Sequence, residues 1–135
     1  SLKTAIWISY LQTANDERYL RIRFNDFLLK MRENLVPVRS NGSGKSYYDS
    51  SKDAVYVPIQ RGFDHYHDYV QETLRQIISA TGHQQRLARE GMVMKNGVAP
   101  SEDSVKREQL VVEIASGIKM LELAPRTANS PRLFP

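Results

Sequence analysis

The chain has 135 residues, a length that suits one domain, and 41% of them are apolar and 25% charged. It has no cysteine, which excludes disulfides, thiolate metal ligands and a cysteine nucleophile, and no apolar run approaches the length of a transmembrane helix. The net charge of +4 comes from 19 basic and 15 acidic residues spread along the chain, so it permits weak attraction to phosphate without requiring nucleic acid.

Two helices are predicted at the start of the chain. The first is an apolar-rich helix over residues 3–14. Asn15 is then predicted to cap a second helix, because the acids Asp16 and Glu17 that follow it suit the first turn of a helix. Pro37 stops that second helix. Its predicted inward face has helical spacing and consists of Leu20, Phe24, Phe27, Leu28, Met31 and Leu35.

Residues 36–58 predict a small antiparallel sheet, because they are rich in valine and tyrosine and contain turn-forming stretches. The segment 41–46 ends in Gly-Lys-Ser, as phosphate-binding loops do. However, Arg39 stands where the first glycine of that pattern belongs, and no helix follows. We therefore interpret 41–46 as a hairpin turn.

The second half of the chain predicts two more helices separated by a polar loop. One covers 66–80 and stops at Gly82, with Tyr66, Val70, Leu74, Ile77 and Ile78 inward. The other covers 104–123, with an inward stripe of Val111, Ile114, Ala115, Ile118 and Leu121. Residues 124–135 contain three prolines and predict a tail. The elements together predict an α+β fold with helices packed on one face of a small sheet.

Three segments of the sequence, taken in order, resemble one known family. Residues 47–58 resemble its Tyr-Tyr strand pair, which ends in proline, and 107–115 resemble its Arg-Glu-Glu-Leu-Val-Ala-Glu-Leu helix. The segment between them, residues 81–89, resembles its Thr-Gly-His-x-x-Arg-Leu-x-Arg pattern and carries the motif residues Thr81, Gly82, His83, Arg86 and Leu87, with Arg89 at its end. The family is the zincin-like metallopeptidase domain of ArdC-type antirestriction proteins and polyvalent proteins of plasmids, phages and conjugative elements.

The resemblance implies that the catalytic motif of the family is degenerate in this chain. A His-Glu-x-x-His motif directly precedes the Thr-Gly-His segment in the family, so Arg75 and Ser79 occupy the positions of its two zinc ligands, and Gln76 occupies that of the general base. Arginine is a permanent cation, serine is a poor zinc ligand, and glutamine is no base near neutral pH. The family's third ligand falls on Glu108, or alternatively on Glu113, and either could pair with Arg75.

The resemblance further implies a domain at 23–123, with a helical extension at 1–22 and the tail at 124–135, and places helices 66–80 and 104–123 side by side. We expect a cytoplasmic, catalytically inactive binding or scaffold module of a mobile genetic element, related to antirestriction. We expect a protein partner, no zinc, no membrane association and little or no binding of nucleic acid.

Two alternatives remain open at this stage. The first is an active hydrolase with a displaced zinc site built from His65, His67 or His83 and a carboxylate, although His65 and His67 diverge if they lie on a helix. The second is an accessory module for single-stranded DNA, with Tyr47, Tyr48 and Tyr56 as stacking faces. Its basic residues would be Arg21, Arg23, Lys30, Arg32, Arg86, Arg89 and Lys95, which otherwise form an ordinary solvated surface.

Overall fold

The fold is α+β, as predicted, in a computed structural model that describes residues 1–125. The predicted tail lies outside the described residues from position 126 onward. No helix within the described part is long and apolar enough to cross a membrane. In chain order the elements are α1 (Leu2–Asn34), β1 (Val38–Asn41), β2 (Tyr47–Asp49), β3 (Ala54–Pro58), a short 3-10 turn (Gln60–Gly62), α2 (Tyr66–Thr81) and α3 (Glu102–Leu123).

Helix α1 is continuous, so the predicted break at Asn15 is wrong. The helix contains no glycine or proline, and a capping residue does not by itself interrupt a helix that has favourable neighbours on both sides. Glu17 pairs with Arg21 one turn later at 2.7 Å, which supports the helix across the predicted boundary. Only the second half of α1 packs on the core, through the buried side chains of Leu20, Phe24 and Leu28.

The three-stranded sheet is mixed, and the prediction of a purely antiparallel sheet is wrong. Strand β3 is central: it pairs parallel with β1 and antiparallel with β2. The central strand is also the most apolar, with Ala54, Val55 and Val57 all buried. Because β1 and β2 are not neighbours, the loop 42–46 between them is not a hairpin turn, and the tight connection lies instead at 50–53 between β2 and β3.

Helices α2 and α3 pack side by side, as the resemblance implied. The predicted inward face of α2 is largely confirmed: Tyr66, Val70, Leu74 and Ile77 are buried, whereas Ile78 is half-buried. This face contacts the sheet and the second half of α1. The core therefore lies between α1, β3, α2 and the C-terminal end of α3.

The predicted inward stripe of α3 is wrong, because four of its five residues face solvent. Val111, Ile114, Ile118 and Leu121 are exposed, and Ala115 is half-buried. The face that packs inward carries Ser104, Glu108, Ser116, Met120 and Leu123. Helix α3 has apolar residues on both sides, so spacing alone could not determine its rotation; polar contacts of the inward face determine it, as described below.

Candidate functional site

A cleft of about 510 Å³ lies between α2 and α3. Ser79 of α2 lines it together with Glu108 and Glu113 of α3, so the fold brings residues from two distant segments of the sequence to one place. These are three of the positions that the resemblance assigned to the degenerate site. The remaining lining comes from the loop after α2 and from α3: Gly91, Met92, Val105, Gln109 and Val112.

Arg75 of α2 lies beside this cleft and contacts the lining residue Glu113. Two carboxylates hold its charged side chain in place. Its Nε lies 2.8 Å from Oε1 of Glu113, and its Nη2 donates a hydrogen bond of 3.2 Å to the other carboxylate oxygen. The Nε–H is not directed at an acceptor, so the shorter contact is an ion pair only. A second carboxylate, Glu72 one turn earlier on α2, contacts Nη1. Burial lowers the pKa of Arg75, but the hydrogen bond to Glu113 and the two negative charges outweigh it, and the pKa is raised overall.

Glu108, the preferred third-ligand position, is buried and pairs with Arg89 instead. Arg89 holds its carboxylate from two nitrogens, with Nε 2.8 Å from Oε2 and Nη2 2.8 Å from Oε1. The same guanidinium donates to Oγ1 of Thr81 and to the carbonyl oxygen of Ile78, each at 2.8 Å. Arg75 therefore pairs with Glu113 and not with Glu108, and the carboxylate of Glu108 joins the loop after α2 to α3.

Gly91 allows that loop to lie directly on α3. A Cβ at this position would lie 2.4 Å from the carbonyl oxygen of Ser104 and 2.7 Å from Cβ of Glu108, distances that no side chain tolerates. The close approach holds the 89–91 loop against the inward face of α3. Together with the Arg89–Glu108 pair, it explains why α3 turns its polar side inward.

A second ionic cluster joins the loop after α2 to the sheet. Arg86 donates to both carboxylate oxygens of Asp53, at 3.0 Å for Oδ2, and to the carbonyl oxygen of Ala80 at 2.8 Å. Tyr48 donates to Oδ1 of Asp53 at 2.5 Å. The hydrogen bonds from Arg86, together with the one from Tyr48, lower the pKa of Asp53 to about 2. Partial burial acts in the opposite direction but is outweighed. Burial and the Asp53 carboxylate raise the pKa of Tyr48.

The cluster around Asp53 predicts a pH dependence of stability. The pKa of Asp53 is about 2 in the fold against 3.8 as an isolated group, so its stabilisation is complete above about pH 4 and is lost as pH falls through that window. After allowance for solvent screening, we expect Asp53→Asn to remove about 1 kcal/mol at neutral pH and much less near pH 2. Urea unfolding at several pH values measures this, with Asp26→Asn, at an exposed pair, as control. A destabilisation by Asp53→Asn that is independent of pH would contradict the assignment.

The other residues of the central motif have local roles. Thr81 donates to the carbonyl oxygen of Ile78 and accepts from Arg89, and Gly82 ends α2. The ring nitrogen Nδ1 of His83 accepts a local hydrogen bond from the backbone N–H of Gln85 at 3.1 Å. Leu87 is exposed.

The histidines do not converge on a metal site. His65 and His67 lie at the N-terminal end of α2 and line a different cleft with Asp16, Glu17 and Asp64, whereas His83 follows the opposite end of that helix. Within residues 1–125, no three histidine, aspartate or glutamate side chains are arranged to hold a metal ion. The geometry of the described residues therefore gives no support to a displaced zinc site.

The residues that the resemblance aligns with the family's zinc ligands do not fit a zinc ion either. Arg75, aligned with the first imidazole, is a cation, and Ser79, aligned with the second, offers only a neutral hydroxyl. The carboxylates of Glu113 and Glu108 on the opposite helix are already paired with arginines. A divalent cation would have to displace these pairs, and it would gain no nitrogen ligand in return.

Sequence reasoning missed the roles of Arg86 and Arg89. Both were interpreted as surface charges of a polar loop, yet both are largely buried and ion-paired. A signal was present: each arginine lies in one matched segment and its carboxylate partner, Asp53 or Glu108, lies in another. The three segments that carried the resemblance are thus the three that these two arginines join.

Comparison with known proteins identifies a family for the chain. The profile of a family described as zincin-like metallopeptidase matches residues 29–130, which include the sheet, α2, the connecting loop and α3. No curated protein and no solved structure gives a match. On the family profile and the order of its elements, the chain belongs to the zincin-like metallopeptidase family.

Proposed function

We propose that this chain is a catalytically inactive member of its family that acts as a binding or scaffold module. The observation that supports the proposal is the pair between Arg75 and Glu113, which joins α2 to α3 at positions that the resemblance assigns to the family's zinc ligands. An ion pair of this kind holds two elements in register without any metal, although its net stabilisation depends on how well the charges are solvated.

The chemistry of the site supports inactivity at each essential position. Peptide hydrolysis by a zincin requires two neutral imidazoles one helical turn apart and a carboxylate that accepts a proton from zinc-bound water. Arg75 and Ser79 supply neither imidazole, and Gln76 supplies no base. The two carboxylates that line the cleft, Glu108 and Glu113, are paired with Arg89 and Arg75, so neither is free to replace the missing base.

The biological setting is part of the proposal and rests on the resemblance. ArdC-type and polyvalent proteins belong to plasmids, phages and conjugative elements, so we place this module in a mobile genetic element, in the cytoplasm, in a role related to antirestriction. In such a role, the domain would contribute surface and shape, and its partner would be a protein.

The disposition of the basic and aromatic residues supports a protein partner over single-stranded DNA. Arg86 and Arg89 are engaged in ion pairs, and Arg21 packs over the ring of Tyr66 at 4.0 Å. Tyr47 and Tyr56 stack on each other with ring centroids 5.1 Å apart, so inserting a base would first require separating them.

The proposal is tested by a peptidase assay on purified protein supplied with zinc. We expect no hydrolysis of casein or of a fluorogenic peptide library above the buffer rate, and no change in Ser79→Ala. Hydrolysis that chelators abolish, and that is lost in Ser79→Ala or Glu113→Gln, would overturn it. The two variants distinguish a real site from a contaminating protease, because neither substitution would affect the activity of a contaminant.

A further inference from the structure

The solvent side of α3 carries an apolar face that nothing in residues 1–125 covers. Its members share one side of the helix and have exposed fractions between 39% and 59%: Leu110, Val111, Ile114, Ile118 and Leu121. The inward side of the same helix holds the more polar residues Ser104, Glu108 and Ser116. A contiguous apolar stripe left outward on a helix, while polar residues are buried, is typical of a protein contact surface.

The spacing of this face is that of a helix-packing seam. Val111, Ile114, Ile118 and Leu121 follow one another at intervals of three, four and three residues, the pattern by which one helix packs along another. Gly117 lies beside them, and a Cβ there would have no atom within 4 Å. A glycine inside a helix lowers helix stability, but here it lets a neighbouring backbone approach closely.

We propose that this face is the interface with a second copy of the chain, in which the two α3 helices pack antiparallel about a two-fold axis near Ile114. The charges beside the face favour that direction. Arg107 is exposed near its N-terminal end and Glu122 is exposed near its C-terminal end. An antiparallel pair sets Arg107 of each copy opposite Glu122 of the other, whereas a parallel pair would set like charges together.

The size of the face sets the expected strength of the dimer. Five half-exposed aliphatic side chains and the adjoining surface bury roughly 400–600 Å² per copy, less than the ~800 Å² of a standard interface. The association is therefore weak and depends on concentration. A two-fold arrangement suits the face, because each apolar residue then meets the same face of the other copy.

The experiment is sedimentation equilibrium of the full chain over a concentration series. We expect a monomer–dimer equilibrium, and an increase of the dimer dissociation constant by at least about tenfold in Ile114→Glu, since a charge would be placed at the centre of the interface. Ile22→Glu is the matched control: Ile22 is an isoleucine on α1 with 61% exposure against 55% for Ile114, and its substitution should leave the equilibrium unchanged. Circular dichroism melting verifies that both variants fold.

A charge reversal tests the direction of packing. Arg107→Glu alone should weaken the dimer, and adding Glu122→Arg should restore it. A chain that stays monomeric at the highest concentration, or a dimer unaffected by Ile114→Glu, would overturn the interface. Equal weakening by Ile22→Glu would do the same, because it would show non-specific association. Failure of the double reversal to restore the dimer would overturn the antiparallel arrangement.

Discussion

Replacing Arg89 with methionine is expected to lower the free energy of unfolding by about 3–5 kcal/mol, one of the largest effects of any single substitution in this chain. The change leaves the carboxylate of Glu108 buried and unpaired, with only 9% of its side chain exposed. It also removes the donors to Thr81 and to the carbonyl oxygen of Ile78. Chemical denaturation of wild type and variant, followed by circular dichroism, measures the difference.

The double variant with Glu108→Met separates the unpaired charge from simple loss of contacts. Once the carboxylate is gone, we expect about 2 kcal/mol or more to be regained, because an apolar pair can replace a buried ion pair. Lys106→Met removes an exposed pair with Glu102 and should change stability by less than about 0.5 kcal/mol. If the double variant were no more stable than Arg89→Met, Glu108 would not be an internal counter-charge, and the structural role given to this pair would be wrong.

The triple variant Arg75→His, Gln76→Glu and Ser79→His is expected to gain zinc affinity by at least about a thousandfold over wild type, or about 4 kcal/mol. It supplies two imidazoles one turn apart on α2, together with the missing carboxylate. Each single variant should gain little, because an isolated ligand binds zinc weakly. Isothermal titration calorimetry measures the affinities, and equal binding by wild type and triple variant would refute the idea that these three positions are a lost site.

The triple variant also identifies the third ligand. Removal of Arg75 frees Glu113, whereas Glu108 remains held by Arg89. We therefore expect Glu113→Gln in the triple background to reduce zinc affinity by at least about tenfold. The matched control is Glu122→Gln, which makes the same change on α3 at a position remote from the cleft. Gln109→Glu is not suitable as a control, because it adds a charge. Loss of zinc in the Glu122→Gln background would indicate a site elsewhere.

The fold could be predicted where the sequence has one dominant pattern. Helix α2 has a single apolar face and a glycine just beyond its end, and both its boundaries and its inward residues followed from these. Helix α3 has two apolar sides, and its rotation is set by Arg89 and Gly91, which lie on a loop. No local pattern of α3 carries that information, so the stripe was assigned to the wrong face.

The same distinction holds for the sheet and for the candidate site. Strand propensity located the sheet within residues 36–58. The order of its three strands depends on which of them buries the most apolar surface, and that requires a comparison among the strands. The resemblance assigned Arg75, Ser79 and Glu108, with Glu113 as the alternative, to the candidate site, and the fold brings Ser79, Glu108 and Glu113 to one cleft. The ionic partner of each charged group, in contrast, depends on side-chain reach across α2 and α3. The pairing of Glu108 with Arg89 was missed for that reason.

The zinc content of the wild-type chain tests most directly whether the family's zinc site is lost in this chain. Purified protein is incubated with zinc, dialysed, and analysed by mass spectrometry of the metal per mole of chain. We expect far less than one zinc per chain, because Arg75 and Ser79 supply no ligand and the nearby carboxylates are paired with arginines. Stoichiometric zinc that survives dialysis in wild type and is lost in Ser79→Ala or Glu113→Gln would contradict it.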